Sequence, residues 1–248
     1  MKGTIIVTGG AGGIGSEICQ ELARDGLKVV VADFDEGTAA KLGERIRQQG
    51  GEAVAIRVDV GDKTSVAALV QQAIERYQTI DFLINAAGVM TRVPVLEMAE
   101  ADWDRVMRIN VKGVFLCSQA VGAHMVKNKH GRIINVASGR GLAGQPRAAH
   151  YAASKAAVIG FTKSLAMELA PANVTVNAIA PGATDTPMAR AGSTEEEWKR
   201  REAVPPIMGG LTKKEEIVGL VRYLLSDAAK YITGQTFLLR TPTVRATA

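Results

Sequence analysis

Thr4-Ile5-Ile6-Val7-Thr8-Gly9-Gly10-Ala11-Gly12-Gly13-Ile14-Gly15 is a β-branched run that breaks into glycine and then into a segment of helical period, Ile14–Asp25. The change of period marks a strand, a turn and a helix in immediate succession. Glycines in such a turn let backbone approach a pyrophosphate, and the helix N-terminus behind them offers N–H donors and the positive end of its dipole. A tight turn alone also needs glycine, so the pattern takes its meaning from the rest of the chain.

Downstream the same unit recurs. Lys28–Asp33 precedes the helical segment Gly37–Gln49, and Ala53–Val58 precedes Lys63–Gln78. Asp81–Asn85 leads into one long helical stretch from about Asp102 to Lys127; then come Arg132–Ala137, the helix Tyr151–Ala170, Thr175–Ile179, Lys213–Leu225 and Gln235–Leu239. Seven strands alternating with helices predict an α/β fold, a single doubly wound Rossmann-type domain over residues 1–248 whose parallel sheet carries helices on both faces. Continuous apolar strands such as Val29-Val30-Val31-Ala32 and Phe82-Leu83-Ile84 agree, because both faces of such a sheet are covered. Pro187–Leu211 departs from the alternation: it is rich in charge, Gly and Pro, with Glu195-Glu196-Glu197 opening a short helix after Ser193 or Thr194, and has the length of an active-site lid.

Composition narrows the class. At 248 residues, 47% hydrophobic and 22% charged, the chain reads as globular. The net charge of +5 is dispersed among acidic residues and aromatics make up only 4%, so we read solubility rather than a nucleic-acid surface. Cys19 and Cys117 fall in helical segments and read as reduced, partly buried thiols, and His124, His130 and His150 show no metal-ligand spacing and read as surface or turn residues, so no metal is expected. The start of the chain is too short for a signal-peptide core, and the chain has no apolar run of about 18 residues, so a cytoplasmic protein without a membrane partner is expected.

The cofactor end builds on the glycine turn. Asp33 closes the second strand, where a carboxylate accepts hydrogen bonds from an adenosine ribose and repels a 2′-phosphate, so NAD is expected over NADP. Asp59-Val60 and Asn85-Ala86-Ala87-Gly88 end the third and fourth strands at the edge where open α/β sheets bind ligands. At the other end, Tyr151 and Lys155 lie one helical turn apart on the same face. A nearby ammonium and the positive nicotinamide ring both favour phenolate, which lets Tyr151 take a proton from an alcohol or return one to a ketone. Ser138, at the end of the fifth strand, brings a hydroxyl to the same edge, placed to orient the reacting oxygen rather than to attack it.

Taken in order, Thr8–Gly15, Asn85–Gly88, Ser138, Tyr151-Ala152-Ala153-Ser154-Lys155 and Pro181-Gly182 before Thr186 resemble the short-chain dehydrogenase/reductase family, over nearly the whole chain up to about Leu239. Asn110, in Arg108-Ile109-Asn110-Val111-Lys112, matches that family's fourth catalytic residue. The resemblance implies a cofactor site from Gly9, Gly13, Ile14, Gly15, Asp33, Asp59, Val60, Asn85, Ala86, Ala87, Gly88, Tyr151, Lys155, Pro181, Gly182, Thr184 and Thr186. It implies that Lys155 also holds the nicotinamide ribose, that Asn110 supports a water chain from Tyr151, and that Pro181–Thr186 meets the carboxamide through backbone, although Thr184 stands where an aliphatic residue is usual. It further implies a homo-oligomer, tetramer or dimer. The tail Arg240–Ala248 departs from the family's Asp-Gly-Gly ending and puts contacts there in doubt.

The expected activity is therefore an NAD-dependent interconversion of a secondary alcohol and a ketone. A 3-oxoacyl carrier-protein or CoA thioester reductase of the same family is the alternative; such reductases typically favour NADPH and carry an Arg in the glycine turn, where this chain has Gly12-Gly13. A catalytically silent NAD-binding regulator is the alternative of another class, because fold does not fix function. Arg92, Arg140 and Arg147 fall in stretches expected to wall the substrate, with Ser138 and Tyr151; Arg140 reads either as a holder of an acidic substrate or as a solvent-facing loop residue.

Overall fold

In the computed structural model, which describes residues 1–191, 193–204 and 210–239, the opening run forms β1 (Thr4–Thr8), fully buried along its length. Its side chains alternate as a pleated strand demands: Ile5 and Val7 enter one core, Ile6 the other. The first core packs α1 (Gly13–Arg24), α2 (Glu36–Gln48) and α10 (Lys214–Leu225) on one face through Ile18, Leu22, Leu42, Ile46, Ile217 and Leu224. The second packs α3 (Lys63–Tyr77) and α5 (Gly113–Asn128) on the other through Leu69, Leu116, Val121 and Met125.

The remaining strands are β2 (Lys28–Asp33), β3 (Glu52–Arg57), β4 (Phe82–Asn85), β5 (Gly131–Val136), β6 (Val174–Pro181) and β7 (Thr236–Leu239). All pair in parallel, in the order β3-β2-β1-β4-β5-β6-β7. The strands match the expected ones to within a residue or two, and the doubly wound sheet is as expected. Because β1 is flanked by β2 and β4, the chain reverses direction of travel across the sheet there. This opens a crevice at the carboxyl ends of the strands.

The long helix expected from Asp102 is not one element. α4 (Glu100–Met107) passes through a π-helical turn, Arg108–Lys112, before α5 begins. Hydrophobic period alone does not report this extra residue in the turn, which carries Asn110 at its middle. Past β5 come α6 (Arg140–Ala143) and α7 (Ala149–Leu169), whose Val158 and Ile159 close a third small core with Val114, Ala178 and Ala180. Within the expected lid the structure contains α8 (Pro187–Arg190) and α9 (Glu195–Glu202), the latter started by a capping box between Thr194 and Glu197. Trp198 of α9 is buried, with the guanidinium groups of Arg190 and Arg201 over its ring at 4.7 and 5.6 Å. Gly192, residues 205–209 of the expected lid and the tail Arg240–Ala248 lie outside the described residues. No helix among the described residues is long and apolar enough to cross a membrane.

Candidate active site

The crevice is a cavity of about 630 Å³ that runs from the glycine turn past the ends of β4 and β5 to α7, α8 and α9. Its size falls within the range of small-molecule and cofactor sites.

At one end, the glycine turn is shaped by close backbone approach. Gly9 sits at φ +66°, and a Cβ there would meet the Ala87 Cα and N at 2.7 Å. A Cβ at Gly13 would meet Thr186 Cγ2 at 2.6 Å, and one at Gly15 would collide with the Gly9 carbonyl. The turn is thus pressed between the exit of β4 and the segment after β6, and only glycine fits. Gly12 caps α1 without a side-chain hydrogen bond, which leaves first-turn N–H donors of a full-length helix for an anion. Asp33 lines the cavity; its Oδ2 accepts from the Ala11 amide at 2.9 Å and its Oδ1 from the Asp35 amide at 3.1 Å. One carboxylate therefore braces the glycine turn as well as lining the cleft. Asp59 and Val60 line the same end, with Asp59 held below the usual carboxylate range by Arg108, which bonds both its oxygens at 3.1–3.2 Å, and by the Gly61 amide, against an opposing effect of burial.

At the other end, Ser138 follows β5 and accepts from the Arg140 amide at 3.2 Å. Tyr151 and Lys155 rise from the first turns of α7, with Lys155 Nζ 5.7 Å from the centre of the Tyr151 ring. Burial raises the phenol above its ordinary value, opposed by a hydrogen bond with Ser138 and by the charge of Arg140. Burial pushes the Lys155 ammonium down to about 8, and Nζ donates to the Val136 carbonyl at 2.7 Å. The expected lowering of Tyr151 by Lys155 is not what governs it: desolvation raises the phenol, and the opposing effects come from Ser138 and Arg140.

Asn110 is fully buried and does not line the cavity. Its Oδ1 accepts from the Val89 amide at 2.8 Å, and its Nδ2 donates to the Val89 carbonyl and to Ser154 Oγ, each at 3.0 Å. Ser154 Oγ donates onward to the Tyr151 carbonyl at 2.7 Å. The amide therefore ties the segment after Gly88 to the Tyr151 helix, and the π turn is what swings it there. Both side-chain N–H donors are used within the protein. A Cβ at Gly88 would lie 3.3 Å from Asn110 Oδ1 and 3.6 Å from Lys155 Nζ, so glycine keeps the space between them open.

Asn85 is the one expected cofactor contact that the structure puts elsewhere. It is buried and its Nδ2 donates to Ser118 Oγ at 3.0 Å and Asn135 Oδ1 at 2.8 Å, while Asn135 donates to Thr162 Oγ1 at 2.9 Å. This chain of amides and hydroxyls crosses from α5 to α7 under the site. Strand alternation carried the signal: Asn85 shares the face of Leu83, which belongs to the α3–α5 core, whereas Ala86, Ala87 and Gly88 reach the crevice.

The other expected cofactor residues, from Gly9 through Thr186, line the cavity together with Ser138, Arg92 and Arg140. Arg147 does not line it; its φ is +61° and its carbonyl accepts from the Val93 amide at 2.7 Å. His150 is not a surface or turn residue but fully buried, and its Nε2 shares a 2.8 Å hydrogen bond with Thr91 Oγ1. Arg105, Arg108, Gln145, Met188 and Arg201 are lining residues that spacing did not reveal, since each arrives by tertiary packing. Among the described residues no group of three His, Cys, Asp or Glu side chains is placed to hold a metal ion. The glycine cradle, the uncapped α1 terminus and the two acidic strand ends fit a dinucleotide.

Comparison with known proteins agrees with this geometry. The family model described as short chain dehydrogenase matches residues 3–197. The chain is 42% identical over 234 residues to a 3-oxoacyl-[acyl-carrier-protein] reductase of Synechocystis sp., covering 94% of this chain and 93% of that one. It is 36% identical to a subunit of (2S)-[(R)-hydroxy(phenyl)methyl]succinyl-CoA dehydrogenase of Thauera aromatica, covering 93% and 92% of the two chains. Among solved structures it is similar to a 3-ketoacyl-(acyl-carrier-protein) reductase of Brucella melitensis in complex with NADH, with a TM-score of 0.88, 29% identity and 97% coverage of both chains.

Proposed function

Because this chain belongs to the short-chain dehydrogenase family, we propose that it is an NAD-dependent oxidoreductase interconverting a secondary alcohol and a ketone, built as one catalytic domain, with Tyr151 as its acid and base. The observation that carries the proposal is the convergence of Ser138, Tyr151 and Lys155 on one wall of the cleft whose other end is the glycine cradle with Asp33. When bound, the nicotinamide ring supplies the acceptor or donor of hydride. Ser138 holds the reacting oxygen and steadies the phenol. Tyr151 takes the hydroxyl proton in oxidation and returns it in reduction. Lys155 holds the nicotinamide ribose and supplies positive charge beside the phenol, and Asn110 positions α7 against the segment after Gly88.

NAD is preferred over NADP in this reading, because Asp33 faces the adenosine position and Gly12-Gly13 offers no cation there. A second reading, reduction of a 3-oxoacyl thioester, is favoured by the names of relatives at 36–42% identity. A silent nucleotide-binding regulator is disfavoured by the presence of Asn110, Ser138, Tyr151 and Lys155 together. The proposal includes a homo-oligomer, supported by the exposed apolar side chains Phe115 and Met167 on α5 and α7, and a cytoplasmic location, which two free, buried cysteines suit.

The test is reduction of NAD+ and, in parallel, NADP+ by purified protein over a panel of secondary alcohols, hydroxy acids and 3-hydroxyacyl thioesters. Turnover of an alcohol with NAD+, abolished in Tyr151→Phe while NADH still binds, is the expected result. Turnover of thioesters alone and with NADP+ alone supports the second reading; an active Tyr151→Phe variant removes Tyr151 from the mechanism.

A further inference from the structure

The end of the cleft away from the glycine turn is lined by an arginine that the proton-transfer chemistry does not use. Arg92 lines the cleft beyond Gly88. Its segment is fixed against the start of α7: the Val93 amide donates to the Arg147 carbonyl at 2.7 Å, and Thr91 bonds His150, the residue before Tyr151, at 2.8 Å. Arg92 Nη2 donates at 3.1 Å to Ser193 Oγ, which lies between α8 and α9 and itself donates to the Ala189 carbonyl of α8 at 3.1 Å. The Nε of the same side chain is buried and has no hydrogen-bond partner among the described residues. No Asp or Glu of those residues forms an ion pair with Arg92, whereas Arg108 is closed by Asp59 and Arg190 by Asp185.

A buried N–H without an acceptor is unfavourable and calls for an explanation. Nε and Nη2 are parallel donors on one edge of the guanidinium, spaced for the two oxygens of a carboxylate. The Ser193 hydroxyl supplies one oxygen to that edge and leaves the other donor unmatched. We infer that Arg92 holds a carboxylate of the substrate through Nε and Nη2, so that the alcohol or ketone handled at Tyr151 is a hydroxy acid or oxo acid. The inference rests on the proposed alcohol–ketone chemistry and names its substrate class. A phosphate on a thioester carrier arm offers the same oxyanion, but the ties of residues 91 and 93 to the start of α7 favour a group close to the reacting carbon. Binding there replaces the Ser193 hydroxyl on Nη2 and turns the enclosed Nε–H toward the cleft, which couples occupancy to the α8–α9 segment.

The experiment measures equilibrium binding, by calorimetry in the presence of saturating NADH, of racemic 2- and 3-hydroxy acids of two chain lengths, their methyl esters and the matching CoA thioesters. Wild type is compared with Arg92→Gln and Arg92→Lys, each checked for an intact fold by thermal melting, and turnover with NAD+ is recorded alongside. At least one acid is expected to bind more tightly than its ester, and Arg92→Gln to weaken that acid by about tenfold to a hundredfold, the scale of a lost charge-assisted pair. Arg92→Lys, which keeps the charge but not the two-point edge, is expected to recover only part of the loss. Acids binding no better than their esters, or an acid-over-ester preference unmoved in both variants, overturns the inference while leaving alcohol oxidation standing. A preference for thioesters alone that Arg92→Gln abolishes also overturns it, in favour of a carrier phosphate. Acid binding lost in Arg92→Gln with no turnover of any alcohol upholds the carboxylate site and overturns the proposed chemistry instead.

Discussion

Replacing Asp33 by Ala separates two roles that the structure gives to one carboxylate. In the folded chain Asp33 accepts the Ala11 amide at 2.9 Å and the Asp35 amide at 3.1 Å, so its loss leaves the partly buried Ala11 N–H without an acceptor. That costs about 1–3 kcal/mol of stability, while the exposed Asp35 amide turns to water at little cost. If the carboxylate also binds the adenosine ribose, its removal takes away charge-assisted hydrogen bonds of about 1.5–3 kcal/mol, and NADH binding weakens by about tenfold to a hundredfold. NADPH gains from the lost repulsion what it loses in turn order, so the preference between cofactors narrows by at least about tenfold. Asp33→Asn keeps an oxygen for the Ala11 amide and removes only charge; it therefore retains most of the stability but shows the same narrowing. Fluorescence titration with NADH and NADPH and thermal melting of the three proteins measure all of these quantities. Melting that falls in Asp33→Ala while the NADH-to-NADPH ratio stays at its wild-type value in both variants refutes the reasoning: Asp33 would then be a brace of the glycine turn, with cofactor choice made elsewhere.

Two further outcomes are expected at the same site. Gly9→Ala puts a Cβ 2.7 Å from the Ala87 backbone at φ +66°, where neither atom is a flexible side-chain end, so NADH affinity falls by at least about tenfold and the melting temperature drops by several degrees; wild-type affinity in titration would remove the cradle from cofactor binding. Lys155→Met abolishes turnover yet stabilises the fold near neutrality: burial holds Lys155 at about 8, below its solution value, so the unfolded chain binds more protons between the two values and wild-type stability rises through that window. The variant lacks this penalty, so its advantage in urea unfolding, on the order of 3 kcal/mol near pH 7 before the lost bond to Val136 is subtracted, shrinks near pH 10; an advantage that does not change with pH would show that Lys155 titrates normally.

Much of the site was legible because its parts are local. Thr4–Gly15 announces strand, turn and helix within one short segment, and Tyr151 and Lys155 share a helix face through spacing alone. Asp33 sits at a strand end for the same reason. Asn85 was legible as a motif but not as a contact, since strand alternation sends its amide under the sheet edge to Ser118 and Asn135 while its three successors meet the cleft. His150 looked like any residue at a helix start, and only the arrival of Thr91 from a distant segment makes it a buried partner.

The sequence by itself determined the parallel α/β sheet, the position of the glycine turn and the helical spacing of Tyr151 and Lys155, the pair proposed to serve proton transfer. These depend on periodicity, glycine and helical spacing, which act over a few neighbouring residues. Only the tertiary structure decided which groups face one another across the crevice: Asp33 bracing Ala11, Arg108 closing Asp59, Asn110 swung by a π turn to join Val89 to Ser154, and Arg92 joined to Ser193 with Nε left over. Those pairings span large separations along the chain, and the desolvation that raises Tyr151 against Ser138 and Arg140 and lowers Lys155 exists only once the sheet and α7 have packed around them.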